Sequence, residues 1–161
     1  MKKILLLSFL CLCVFAEMTA QQNLTKAQKE FQNTVVSFLR EQGYVPSVND
    51  GGYIEFRSEG QLHFISILSK EAPFFVIFRR SGFVWGGENG FGVVNSLLAC
   101  NIVNRDVAVA KMYCEDDSVI ISVEQYFHSA AEFNRVFAKN LEELGAAARK
   151  FLEEYYKLDS M

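Results

Sequence analysis

The stretch Ser81 to Gly92, SGFVWGGENGFG, sets three aromatic rings among five glycines. Phe83, Trp85 and Phe91 are the candidate binding surface: glycine lets a ligand approach the backbone, and the rings would form its lip. The plainer reading has the same rings plugging one end of a sheet, since aromatic side chains bury large areas. Gly87 to Gly92 has the wrong glycine order for a dinucleotide fingerprint and lacks the lysine of a phosphate loop. No nucleotide cofactor is expected.

The remaining chemistry-bearing residues are scattered. His63 and His128 are the only histidines, and neither has a cysteine or carboxylate at ligand spacing, so no metal site is expected. A hydrolytic triad on either would need a serine and an acid brought to it by the fold. Lys111 and Glu124 fall on two strands read as paired. They suit an acid/base couple, but a cross-strand ion pair is the ordinary chemistry of such positions. Glu115, Asp116 and Asp117 are too few and too closely set for a calcium loop and read as a solvated turn. Asn101 and Asn104 read as residues that bond backbone at a helix exit. No catalytic constellation emerges, and an enzyme is not expected.

The elements that must hold these residues follow from periodicity. Thr25 and Gln28 form a capping box ahead of a helix over about Lys26 to Gln42, with Phe31, Val35, Phe38 and Leu39 on one face and Gly43 at its end. Short strands follow at Tyr44 to Val48, Tyr53 to Arg57, Leu62 to Leu68 and Phe74 to Arg79, with Pro46 marking the first as an edge. After the glycine-aromatic stretch, which breaks the strand rhythm, a second helix is expected over about Phe91 to Ile102, burying Val94, Leu97 and Leu98. A hairpin, Asp106 to Cys114 against Val119 to Phe127, is read as the hub of the fold. Ser129 and Glu132 then open a helix of about 25 residues or more, long enough to cross a sheet. Its buried stripe runs from Phe133 through Phe137, Leu144, Ala148 and Phe151 to Tyr155, and Gly145 within it implies a close approach by another element. The fold class is α+β: an antiparallel sheet of five to six strands in the order α-β-β-β-β-α-β-β-α, with the long C-terminal helix packed across it.

Met1 to Ala20 has a basic start, an apolar run from Ile4 to Ala16 and small residues at Thr19 and Ala20, the form of a secretory signal peptide. The alternative is an uncleaved anchor. Residues 21–161 are expected to form a single exported domain, periplasmic or secreted, without a transmembrane span of its own. The chain holds 16 Lys and Arg against 19 Asp and Glu; with Lys2, Lys3 and Glu17 in the leader, the remainder carries a net charge of −4. That balance argues against nucleic acid, which calls for a basic stripe. Cys100 and Cys114 remain outside the leader. Seven residues of strand between them would hold them too far apart to bridge, which favours two thiols over a disulfide.

The segments GYVPSVNDGGYIEFRSEG (Gly43 to Gly60), NIVN (Asn101 to Asn104), AKMY (Ala110 to Tyr113) and VIISVE (Val119 to Glu124), in this order, resemble the YbjN family. The likeness covers nearly all of the chain after the leader. It implies a fold like that of type III secretion chaperones, a frequent dimer, protein binding and no known reaction. Export departs from the chaperones' cytoplasmic role. Leu62 to Leu68 and Phe74 to Arg79 are apolar on both sides, and such strands call for cover on both. The expected function is therefore a non-enzymatic binding module for a protein or peptide partner, or a homodimer. The alternative is a carrier of a small apolar ligand, held between the C-terminal helix and the sheet.

Overall fold

A computed structural model of the chain describes residues 24–84, 92–115 and 118–160, with the backbone alone for 81–84. Helix α1 (Lys26–Glu41) begins at the capping box read from sequence: Thr25 Oγ1 accepts from the Gln28 N–H at 3.2 Å, and Gln28 Oε1 accepts from the Thr25 N–H at 2.9 Å. Its end lies where Gly43 adopts a φ of 85°, a conformation glycine takes without steric cost. Two glutamines then tie the helix to the sheet. Gln28 Nε2 donates to the Ile67 carbonyl at 2.9 Å and Gln32 Nε2 to the Gly52 carbonyl at 2.8 Å.

Strands β1 (Ser47–Val48), β2 (Ile54–Ser58), β3 (Gln61–Ile67), β4 (Phe74–Val84), β5 (Lys111–Glu115) and β6 (Ser118–Phe127) form one antiparallel sheet in the order β1-β2-β3-β4-β6-β5. The expected strand at Tyr44 to Val48 shrinks to two residues. Helix α2 (Val93–Asp106) follows β4, and helix α3 (Ala130–Asp159) closes the chain. The α+β class, the six strands and the long C-terminal helix against the sheet are as the sequence implied.

One sheet face carries the core. Ile54, Phe56, Ile65, Phe74, Val76, Phe78, Val119, Ile121 and Val123 alternate inward and are buried. Helices α1 and α3 lay their rings onto them. Phe133 of α3 meets Phe31, Phe78 and Phe127 with centroids 6.4, 6.2 and 5.5 Å away. Phe137, one turn on, stacks on Phe78 at 5.5 Å and meets Phe38, Tyr44 and Phe56. Ser129 Oγ accepts from the Glu132 N–H at the helix start, while Glu132 reaches one residue further back, to the His128 N–H at 2.7 Å.

Four expectations change. First, β4 does not stop at Arg79. Arg80 pairs with Ile121 and Phe83 with Val119, so two β4 residues, Ser81 and Gly82, stand opposite Ile120 alone. A bulge absorbs the break in rhythm, and Gly82 suits it; the strand then resumes. Phe83 is thus a strand residue, whereas Trp85 and Phe91 lie outside the described residues.

Second, α2 shows the opposite face from the one expected. Ser96, Ala99, Cys100 and Val103 are buried, while Val94 is 68 % and Leu97 51 % exposed, with Val93 and Leu98 beside them. The helix is wedged against α3, whose Ala147 and Ala148 are buried in the same core. Small side chains let the two backbones approach, and that outweighs the greater apolar area of the leucines.

Third, α2 runs on to Asp106, so β5 is a short edge strand and the most heavily paired neighbours are β4 and β6. Asn104 protects that edge. Its Nδ2 donates to the Met112 carbonyl and its Oδ1 accepts from the Met112 N–H, both at 2.7 Å. The side-chain amide stands in for a neighbouring strand and blunts the free edge. Asn104→Ala is expected to cost about 1–2 kcal/mol by urea denaturation and to speed hydrogen exchange at the Met112 amide.

Fourth, Cys100 and Cys114 are free thiols, as expected, but they are neighbours rather than far apart. The fold brings the end of α2 back over β5, so the Cys100 and Cys114 thiols lie close enough to interact. Burial, with that contact, pushes the Cys100 thiol up to about 12.

Candidate functional site

Beyond its buried row, the core face of β4 ends on a charge. Phe74, Val76 and Phe78 point inward, and two residues on so does Arg80, paired with His63 on β3 and Ile121 on β6. Here α3 and the β2–β3 end of the sheet part to leave a cavity of about 460 Å³. Phe137, Leu141 and Tyr44 give it an apolar wall, with His63 and Arg80 on the sheet side and Arg149 on the helix side. Glu59 and Glu142 also line it.

His63 is 3 % exposed. Its ring stacks on Phe56 at 5.2 Å and 19°, and its Nδ1 lies 3.1 Å from the Gln61 carbonyl, which can only accept, so Nδ1 carries the proton. Burial lowers its pKa from 6.5 to about 4, and the Arg80 charge adds to that. The imidazole is therefore a neutral wall of the cavity at any ordinary pH. Burial also lowers Arg80, and the like charge of Arg149 lowers it further.

Gly145 faces this cavity. A Cβ there would sit 3.4 Å from Arg149 Nη1 and meet nothing else within 4 Å. Among the described residues the expected close approach by another element is absent; the Arg149 guanidinium, folded back along its own helix, is the neighbour of Gly145. Glu59 sits in the β2–β3 turn with a φ of 50°, beside Gly60 at 76°, the left-handed pair that a two-residue hairpin turn requires.

The residues singled out by sequence do not assemble. His128 is exposed beyond the end of β6, at the Phe74 end of the sheet, opposite to His63. Lys111 Nζ bonds Glu124 Oε2 at 2.7 Å, and Ser122 donates to the other oxygen at 3.0 Å, so Glu124 is an ion-pair partner on the far face. Asp116 and Asp117 lie outside the described residues. Among the described residues no three His, Cys, Asp or Glu side chains gather as a metal site, and no helix is long and apolar enough to cross a membrane. Arg80 and Arg149 were missed. Their signals were a basic residue in phase with Phe74, Val76 and Phe78, and the four-residue row Phe137, Leu141, Gly145, Arg149.

The far face of the sheet is the second candidate surface. Leu62, Phe64, Phe75 and Ile120 are half-buried there, Ile77 is buried, and Tyr126 is 67 % exposed with its ring 4.9 Å from Phe75. Among the described residues no helix packs on it. A recess of about 350 Å³ lies between Tyr53, Phe64, Ile120 and Arg79, whose buried Nε has no hydrogen-bond partner. In comparison with known proteins, the chain matches no family model and no curated protein.

Proposed function

We propose that the chain is an exported, non-enzymatic binding module whose far sheet face receives a polypeptide partner. One observation carries this reading: an apolar face with an unpaired guanidinium nitrogen at its centre. Leu62, Phe64, Phe75 and Ile120 offer area to bury, worth about 25 cal/mol per Å². Arg79 Nε is a buried donor awaiting an acceptor, which costs about 1–3 kcal/mol until one arrives. The fitting occupant is an amphipathic segment that presents apolar side chains and one acidic residue to Arg79. The resemblance to the YbjN family points the same way.

The test compares the chain with a Phe64→Asp/Arg79→Glu variant in light scattering and in capture from an extract of the source cells. A dimer or a defined partner held by the wild type and lost from the variant is expected, with circular dichroism unchanged. Retention by the variant refutes the proposal, and so does loss caused instead by Leu97→Glu on the exposed side of α2.

A second reading is favoured by the cavity between α3 and the sheet, whose about 460 Å³ falls within the range of small-molecule sites. In that reading the module carries a small ligand. The lining is not purely apolar, as a carrier of hydrocarbon would have it, and Trp85 and Phe91 of the expected aromatic lip lie outside the described residues.

A further inference from the structure

We infer that this cavity is an anion site: Arg80 and Arg149 clasp the oxyanion head, carboxylate or phosphate, of a small organic molecule whose apolar body lies against Phe137 and Leu141. The inference rests on the carrier reading of the cavity and says what that ligand is.

The argument begins with Arg80. Its place in the ladder puts it on the core face, where every other described inward residue of β4 is apolar. A half-buried guanidinium there ordinarily acquires a carboxylate, because an unpaired charge taken from water is costly. None lies within ion-pair distance of Arg80 or Arg149 among the described residues. The acids at the cavity do not fill the role. Glu142 is held by Lys139 at 3.0 Å, and Glu59 acts on Arg80 only from beyond contact.

A second cation lines the same cavity. Arg149 folds back along its helix to Gly145, with its Nη1 3.4 Å from where a Cβ would sit. Two guanidiniums lining one cavity repel each other: burial is the main cause of Arg80's lowered proton affinity, and the charge of Arg149 lowers it further. An anion between them turns the repulsion into two charge-assisted contacts. Guanidinium is the group suited to this, since its planar fork matches carboxylate and phosphate with paired hydrogen bonds. His63 opposes nothing, being neutral. Phe137 and Leu141 have no polar demand and Tyr44 adds a ring face beside them, so this wall suits a hydrocarbon or aromatic body rather than a bare inorganic ion.

The experiment titrates the purified chain by calorimetry with three probes of one shape: 2-naphthoate, 2-naphthyl phosphate and 2-naphthylmethanol. At least one charged probe is expected to bind tenfold or more tightly than the neutral alcohol, and the stronger of the two identifies the head group. Arg80→Met and Arg149→Met should each reduce charged-probe affinity about tenfold and leave the alcohol unchanged. Glu59→Asn removes a carboxylate from the mouth and keeps a residue the turn accepts, so it should tighten charged probes a few-fold. Bound anion should also raise the His63 pKa from about 4, followed by nuclear magnetic resonance. Arg149 is exposed, so its variant tests the clamp even where Arg80→Met impairs folding. Equal affinity for charged and neutral probes overturns the clamp and leaves the carrier reading standing. Charged binding that survives Arg149→Met also overturns the clamp. Absence of binding by all three at millimolar concentration overturns both.

Discussion

Phe133→Ala is expected to lower stability by about 3–5 kcal/mol. The ring is fully buried and stands where three elements meet: Phe31 of α1, Phe78 and Phe127 of the sheet, and Phe137 of its own helix. Its removal forfeits the transfer free energy of the side chain and leaves a hole. Neighbouring rings anchored on three separate elements cannot all move in to fill it. A domain of this size has about 5–15 kcal/mol in total, so the variant should sit near its folding limit. Urea denaturation gives the measure, with a lower midpoint and an unchanged slope. Tyr126→Ala is the counterpart, an aromatic of similar size on the exposed face, and should cost no more than about 1 kcal/mol. Equal losses at the two positions would contradict the assignment of the core to one sheet face.

The second large effect is a response to acid that runs through His63. Its folded pKa is about 4 and its unfolded value 6.5. Between these values the unfolded chain binds the proton and the folded chain refuses it, so stability rises with pH across that window. The contribution is present above pH 6.5, is lost progressively as pH falls from 6.5 to 4, and is gone below 4. At about 1.4 kcal/mol for each pH unit, roughly 2.5 kcal/mol should be gone by pH 4.5. Carboxylates drawn down by their partners, such as Glu124 beside Lys111 and Ser122, lose stability in the same direction, so the total acid response is larger. His63→Phe separates the two. The replacement keeps an aromatic ring between Phe56 and Phe78 and removes the titration. The difference in unfolding free energy between pH 7 and pH 4.5 should shrink by roughly 2–3 kcal/mol in the variant. An unchanged difference would mean that the imidazole accepts its proton in the folded state.

What could be read from the residues alone was local. The capping box at Thr25 and Gln28, the left-handed stop at Gly43, the apolar runs of β2, β3 and the start of β4, and the stripe of α3 all rest on contacts a few residues apart. Those contacts write themselves into the spacing of the chain, so the class and order of elements followed. The cross-strand pair of Lys111 and Glu124 was legible for the same reason, once the hairpin was recognised.

Which face of α2 turns inward was not local. It depended on Ala147 and Ala148 of a helix some 50 residues away, and close packing there favoured alanine and serine over leucine. The bulge at Ser81 and Gly82 depended on the register of β6, and without that register the end of β4 read as a loop. Cys100 and Cys114 met because α2 doubles back over β5, which no count of residues between them reveals. The cavity was least legible of all. His63, Arg80 and Arg149 come from two strands and a helix, and each is unremarkable within its own segment. Periodicity determined this protein's elements because hydrogen bonding and side-chain alternation act over a few residues. The tertiary structure decided which charges face one another, because that follows from how whole elements pack.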